Sequence, residues 1–80
     1  MIVERLKEIN PDAVLIDGMD RAVIGIDEMK ARAVYSVDKI IDELCRLNEW
    51  DRDVAREWYE FNISTAYVGE YTPILVYNMI

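Results

Sequence analysis

The chain has no histidine, one cysteine, three glycines and two prolines in eighty residues. Without histidine, a Ser–His or Cys–His nucleophile pair cannot be built, nor can a carboxylate–histidine di-iron set. Lysine and carboxylate bases remain, so catalysis is the minority expectation. The lone Cys45 excludes a disulfide within the chain and fits a reducing cytoplasm. It falls on the apolar stripe of a predicted helix, where a thiol behaves as a small buried hydrophobe and not as a nucleophile. No phosphate-cradling glycine loop, dinucleotide fingerprint or Cys-x-x-Cys pair occurs. Neither a leader pattern nor a run of about 18 apolar residues is present, so no membrane contact is expected and the protein should stay inside the cell. Basic side chains are also scarce. Nine Lys and Arg against sixteen Asp and Glu give a formal charge of -7, which repels phosphate backbones and argues against direct nucleic-acid binding. The two signs alternate without a run of five, the pattern of ordinary solvated faces and not of a phosphate mimic.

What the chain does have is apolar material. At 52% apolar, with two tryptophans, five tyrosines and four methionines, it holds more than one small core normally hides. Eighty residues make a single domain, residues 1–80, which buries roughly 60–65% of its unfolded surface. A homo-oligomer, with a dimer as the simplest case, is therefore expected.

Read in order, Ile2, Val3, Leu6 and Ile9 recur at helical spacing and Pro11 ends that helix. Ala13–Ile16 is short and rich in branched residues, a buried strand, and Asp17-Gly18 supplies a hairpin turn into a strand over 22–26. Gly25 inside that strand marks a bulge or a close backbone approach. Residues 31–36 read as a third strand with one wet face that carries Arg32 and Ser36. Ser36 also caps a helix whose stripe is Val37, Ile40, Ile41 and Leu44. Asp51 caps another, with the stripe Val54, Ala55, Trp58, Phe61 and Asn62 and an outward Arg56–Glu60 pair. Gly69 is the expected helix stop. Ile74–Ile80 closes the chain as a strand. The predicted fold is α+β: a mostly antiparallel sheet of three to four strands, with a helical hairpin and a short N-terminal helix packed on it.

Asp17 and Asp20 flank a turn, where paired carboxylates can hold a hard cation or do acid–base work, but Asp-Gly is ordinary turn chemistry and no EF-hand series follows. Glu57, Glu60 and Glu70 could converge as a metal site, yet Arg52 and Arg56 are spaced to pair with them, so no metal and no cofactor is expected. Asn62, Thr65, Tyr67, Glu70, Tyr71 and Thr72 place amide, hydroxyl and phenol groups beside an apolar wall, as a ligand pocket does. Caps and turns use the same groups, and the structural role is the favoured one. Trp50, Trp58 and the tyrosines equally suit a protein interface.

Asp17-Gly18-Met19-Asp20-Arg21-Ala22-Val23-Ile24-Gly25, Ala33 to Lys39, and above all Glu60-Phe61-Asn62 followed after three residues by Ala66-Tyr67-Val68-Gly69-Glu70 and then Thr72-Pro73 resemble a group of small, uncharacterised proteins of tailed bacteriophages and prophages. The resemblance covers most of residues 13 to 77; the Asp51-Arg52-Asp53 helix start and the charged opening segment are this chain's own. It implies a phage-related accessory protein in the bacterial cytoplasm. Such a protein is expected to be a non-catalytic module that engages a host protein, with a small-ligand binder or weak enzyme and a structural phage component as the other readings.

Overall fold

Ala33, Tyr35 and Ser36 are sealed from solvent on the central strand of a three-stranded sheet, and the core grows outward from them. The computed structural model describes residues 2–78. Its elements are α1 (Ile2–Ile9), a 3-10 turn (Asp20–Ala22), β1 (Val23–Ile26), β2 (Ala33–Ser36), α2 (Val37–Asn48), α3 (Arg52–Asn62) and β3 (Ile74–Val76). The sheet order is β1-β2-β3.

The class is α+β, as the sequence predicts, but the sheet is mixed. β1 pairs antiparallel with β2, whereas β3 pairs parallel with it. Parallel neighbours need a long crossover, and α2, α3 and the segment after them provide it. Tight hydrogen bonding sets the β1–β2 hairpin: Asp27 N donates to Arg32 O at 2.8 Å, while the Asp27 carboxylate accepts from Lys30 N and Arg32 Nε, both at 3.0 Å. Those bonds hold the Asp27 carboxyl below its usual pKa, with the Arg32 contact as the largest cause. The register shifts between Val23 and Gly25, so the bulge expected at Gly25 is present. A Cβ there would meet nothing, so close approach is not its cause.

Ala13–Ile16 is not a strand. Its backbone groups are taken by side chains instead of a ladder: Lys7 Nζ donates to Ala13 O at 2.9 Å, and Ile16 N donates to the Tyr35 hydroxyl at 2.9 Å. Gly18, at φ 76, turns the chain into the 3-10 element and not across a hairpin, with Met19 N donating to Ile16 O at 3.1 Å. Among the described residues the sheet accordingly has no strand in front of β1.

Ser36 is not on a wet face. It is fully buried, donates to Asn78 Oδ1 at 2.8 Å and accepts from Lys39 N at 3.3 Å, so one hydroxyl joins the end of β2, the start of α2 and the segment after β3. The capping role read from the sequence holds, and Asp51 likewise caps α3 by accepting from Val54 N at 3.0 Å. Helix α3 stops at Asn62, ahead of Gly69. Gly69, at φ 104, serves the turn that precedes β3. β3 leaves the ladder after Val76, and Met79 and Ile80 of the predicted strand lie outside the described residues.

The core comprises Leu6, Ala13, Met19, Ala22, Val23, Ala33, Tyr35, Val37, Ile40, Ile41, Leu44, Ala55, Tyr59 and Ile63. Tyr35 is its largest fully buried side chain. Desolvation pushes its hydroxyl above the ordinary tyrosine pKa, opposed by the bond from Ile16 and assisted by the charge of Asp20. The unfolded chain ionises this phenol near pH 10 and the folded chain resists doing so, so the contribution of Tyr35 to stability is constant below about pH 10 and falls above it. Tyr35→Phe should cost about 1–3 kcal/mol at pH 7, because Ile16 N loses its acceptor, and should flatten the alkaline decline. Urea midpoints at pH 7 and pH 11 check both; an equal alkaline decline in the variant would refute the assignment.

Candidate interaction surface

Helix α3 carries two apolar rows that both satisfy helical periodicity. Ala55 and Tyr59, 0% and 4% exposed, lie one turn apart and enter the core, followed by Ile63 at the helix end. Val54, Trp58 and Phe61 form the second row at i, i+4 and i+7, and they are 46%, 40% and 78% exposed. The stripe predicted from the sequence mixed the two rows. Its Val54, Trp58, Phe61 and Asn62 are on the outside, because Tyr59, which the stripe omitted, takes the place in the core.

The outer row continues onto the end of α2. Trp50 is half-buried, its ring centroid 6.1 Å from that of Trp58 at a tilt of 46°, and Leu47 is exposed beside them. Two concavities meet along this wall and share Trp50, Trp58 and Asn62. One, about 340 Å³, also contacts Val54, Glu57 and Phe61. The other, about 660 Å³, reaches Ile16, Asp17, Met19, Leu44, Leu47, Asn48 and Ile63. Each contains one carboxylate, Glu57 or Asp17, and no described lysine or arginine lines either.

The arginines of α3 are engaged elsewhere. Arg52 contacts Asp42 and, at 3.8 Å, Asp38 on α2, while Arg56 Nη1 donates to the Tyr77 hydroxyl at 3.4 Å. The expected pairing of these arginines with Glu57, Glu60 and Glu70, and the Arg56–Glu60 pair, therefore do not form among the described residues.

The residues singled out in the sequence do not converge on one site. Asn62 and Thr72 line a cavity of about 150 Å³ whose other walls are Val14, Leu15, Ile16, Ile63, Ala66, Val68, Pro73 and Leu75. Both polar groups also serve the backbone: Asn62 Nδ2 donates to Trp58 O at 2.9 Å, and the Thr72 hydroxyl donates to Gly69 O at 2.6 Å and accepts from Val68 N at 2.9 Å. Glu70 and Tyr71 line a different depression, of about 360 Å³, with Ile9, Asn10, Glu28, Met29, Lys30 and Ala31. Thr65 and Tyr67 are exposed and line none of these hollows. Asp17 belongs to the larger aromatic concavity, and Asp20 is an exposed residue that opens the 3-10 turn. Among the described residues no group of three or more acidic or cysteine side chains is placed to hold a metal ion.

Sequence alone does not single out Leu47, gives Glu57 only as a helix-face carboxylate, and puts Val54, Trp58 and Phe61 on one stripe of α3, with Trp58 also offered as an interface anchor. A signal was available: at 100° per residue the apolar positions of α3 spread over about 160° of the helix, from Phe61 round to Tyr59, wider than a single stripe of about 100°. No protein-family model, curated protein or solved structure matches the chain.

The division of α3 predicts opposite mutational costs. Tyr59→Ala should lose about 3–5 kcal/mol, as removal of a buried aromatic does, whereas Phe61→Ala should stay within about 0.5 kcal/mol of the parent. Chemical denaturation of the two variants measures this, and a large loss for Phe61→Ala would reverse the assignment.

Proposed function

We propose that the chain is a non-catalytic binding module that engages a protein partner through the surface formed by Leu47, Trp50, Val54, Trp58 and Phe61. The observation that carries this reading is the exposed Val54–Trp58–Phe61 row, continued by the Trp50–Trp58 pair. Large apolar side chains left in water as a contiguous row are what contact sites use, and tryptophan in a desolvated pocket supplies much of the energy of such contacts. The resemblance of residues 60–73 to small tailed-phage and prophage proteins supports a bacterial host protein as the partner. Self-association is a separate property in this reading. β3 lies at one edge of the sheet among the described residues, and pairing with a second copy there is the route to self-association that this reading offers.

A small-ligand reading draws on the cavity of about 150 Å³ at the 62–75 junction. That volume suits a molecule near the size of benzene and falls below the roughly 300–1,000 Å³ of ordinary ligand pockets. Its two polar groups are also already bonded to the backbone. The protein-binding reading is accordingly preferred.

Affinity capture from bacterial lysate tests it. The parent chain should retain a specific protein that Trp58→Ala and Phe61→Ser both lose by at least about tenfold, since a central interface anchor is worth 2 kcal/mol or more. Capture that both variants leave intact would contradict the proposed surface.

A further inference from the structure

Resting on the reading just given, we infer that the partner segment is a basic amphipathic helix laid along α3. Its apolar residues fill the two concavities on either side of Trp58, and its Lys or Arg side chains meet Asp17 and Glu57.

Three observations converge on that occupant. The first is spacing. Val54, Trp58 and Phe61 span two helical turns, about 10 Å at 1.5 Å per residue, and the hollows they bound share the Trp50–Trp58 wall. A helix that presents anchors at i, i+3 or i+4, and i+7 matches a row of that length. The second is charge. Asp17 and Glu57 line the hollows, Asp53 and Glu60 are exposed on the same helix, and the chain as a whole carries -7. Of the α3 arginines, Arg52 is paired with Asp38 and Asp42, and Arg56 keeps its charge but is directed at Tyr77 and lines neither hollow. A cationic partner is drawn to such a surface and an anionic one is repelled.

The third bears on a second copy of the chain. Docking this face on its twin would bring together two surfaces whose hollows carry carboxylates and no described lysine or arginine, a contact without charge complementarity. The same field disfavours nucleic acid and anionic lipid.

Both tryptophans of the chain lie in this surface, so intrinsic emission reports on it directly. The test titrates the intact protein with two designed amphipathic peptides of about 18 residues, long enough to overlay α3 with margin. Both have leucine at the same helical positions; one has lysine and arginine at its polar positions, the other glutamate. The basic peptide should produce a saturable change in emission, weaken several-fold between low and 200 mM salt, and bind at least about tenfold more tightly than the acidic one. Phe61→Ser should abolish the response, and Asp17→Asn with Glu57→Gln should weaken it several-fold while leaving the fold unchanged by circular dichroism.

Equal binding of the two peptides, no response to the basic one, or indifference to the Asp17 and Glu57 changes would overturn the inference. So would sedimentation that shows a dimer dissolved by Phe61→Ser, which would make a second copy the occupant. The reading beneath fails differently. If lysate capture is insensitive to Trp58 and Phe61, the surface itself is wrong; if capture depends on them and the basic peptide does not bind, only the partner chemistry is.

Discussion

Ala55 and Tyr59 fix how α3 is rotated against the rest of the molecule. Both are sequestered while the residues between and around them follow the helix round to solvent. A helix of eleven residues has little latitude once one turn is anchored in a close-packed core. Rotating α3 to bury the neighbouring valine, tryptophan and phenylalanine would withdraw Ala55, Tyr59 and Ile63 from the core they fill. The exposed aromatic row is thus a consequence of core packing, and the surface proposed to bind a partner is the other side of the same geometric decision. Desolvation raises the pKa of Tyr59 as it does that of Tyr35, as a phenol partly removed from water requires.

Two buried polar groups make that packing possible around a short sheet. The Tyr35 hydroxyl accepts from Ile16 N, and the Ser36 hydroxyl bonds Asn78 and caps α2. Adjacent on β2, their side chains tie three segments to the central strand: residues 13–16, the start of α2, and the segment after β3. No described buried side-chain polar atom is left without a partner. With 13–16 held by Tyr35 instead of by a ladder, Ile16 and Asp17 line the larger concavity beside Trp50 and Trp58.

The parts of this architecture governed by local chemistry were legible in the sequence. Ser36 and Asp51 as caps, the apolar stripe of α2, and the bulge at Gly25 all depend on neighbours a few residues away. What could not be read depends on distant groups. The branched run Ala13–Ile16 has a strand's composition, but Lys7 and Tyr35 compete for its backbone. In α3, the rows Ala55–Tyr59–Ile63 and Val54–Trp58–Phe61 both have the helical period, so periodicity alone has no means to choose between them. The candidate residues fared likewise. Asn62 and Thr72 do meet across a cavity, but Glu70 and Tyr71 turn toward the β1–β2 hairpin and Thr65 and Tyr67 face water. Composition leaves this stretch open to a pocket or to caps and turns, the favoured role; Asn62 and Thr72 do serve the backbone, and the turn at Gly69 distributes the other groups over different faces.

The orientation of α3 can be measured residue by residue. With Cys45 replaced by alanine, single cysteines placed in turn at Val54, Ala55, Trp58, Tyr59 and Phe61 report exposure through their rate of reaction with a neutral thiol reagent under native conditions. Positions 54, 58 and 61 should react at near the rate of an unstructured peptide, and positions 55 and 59 should be protected by at least about 100-fold. Protection at 54, 58 and 61 with free reaction at 59 would contradict the account at its root.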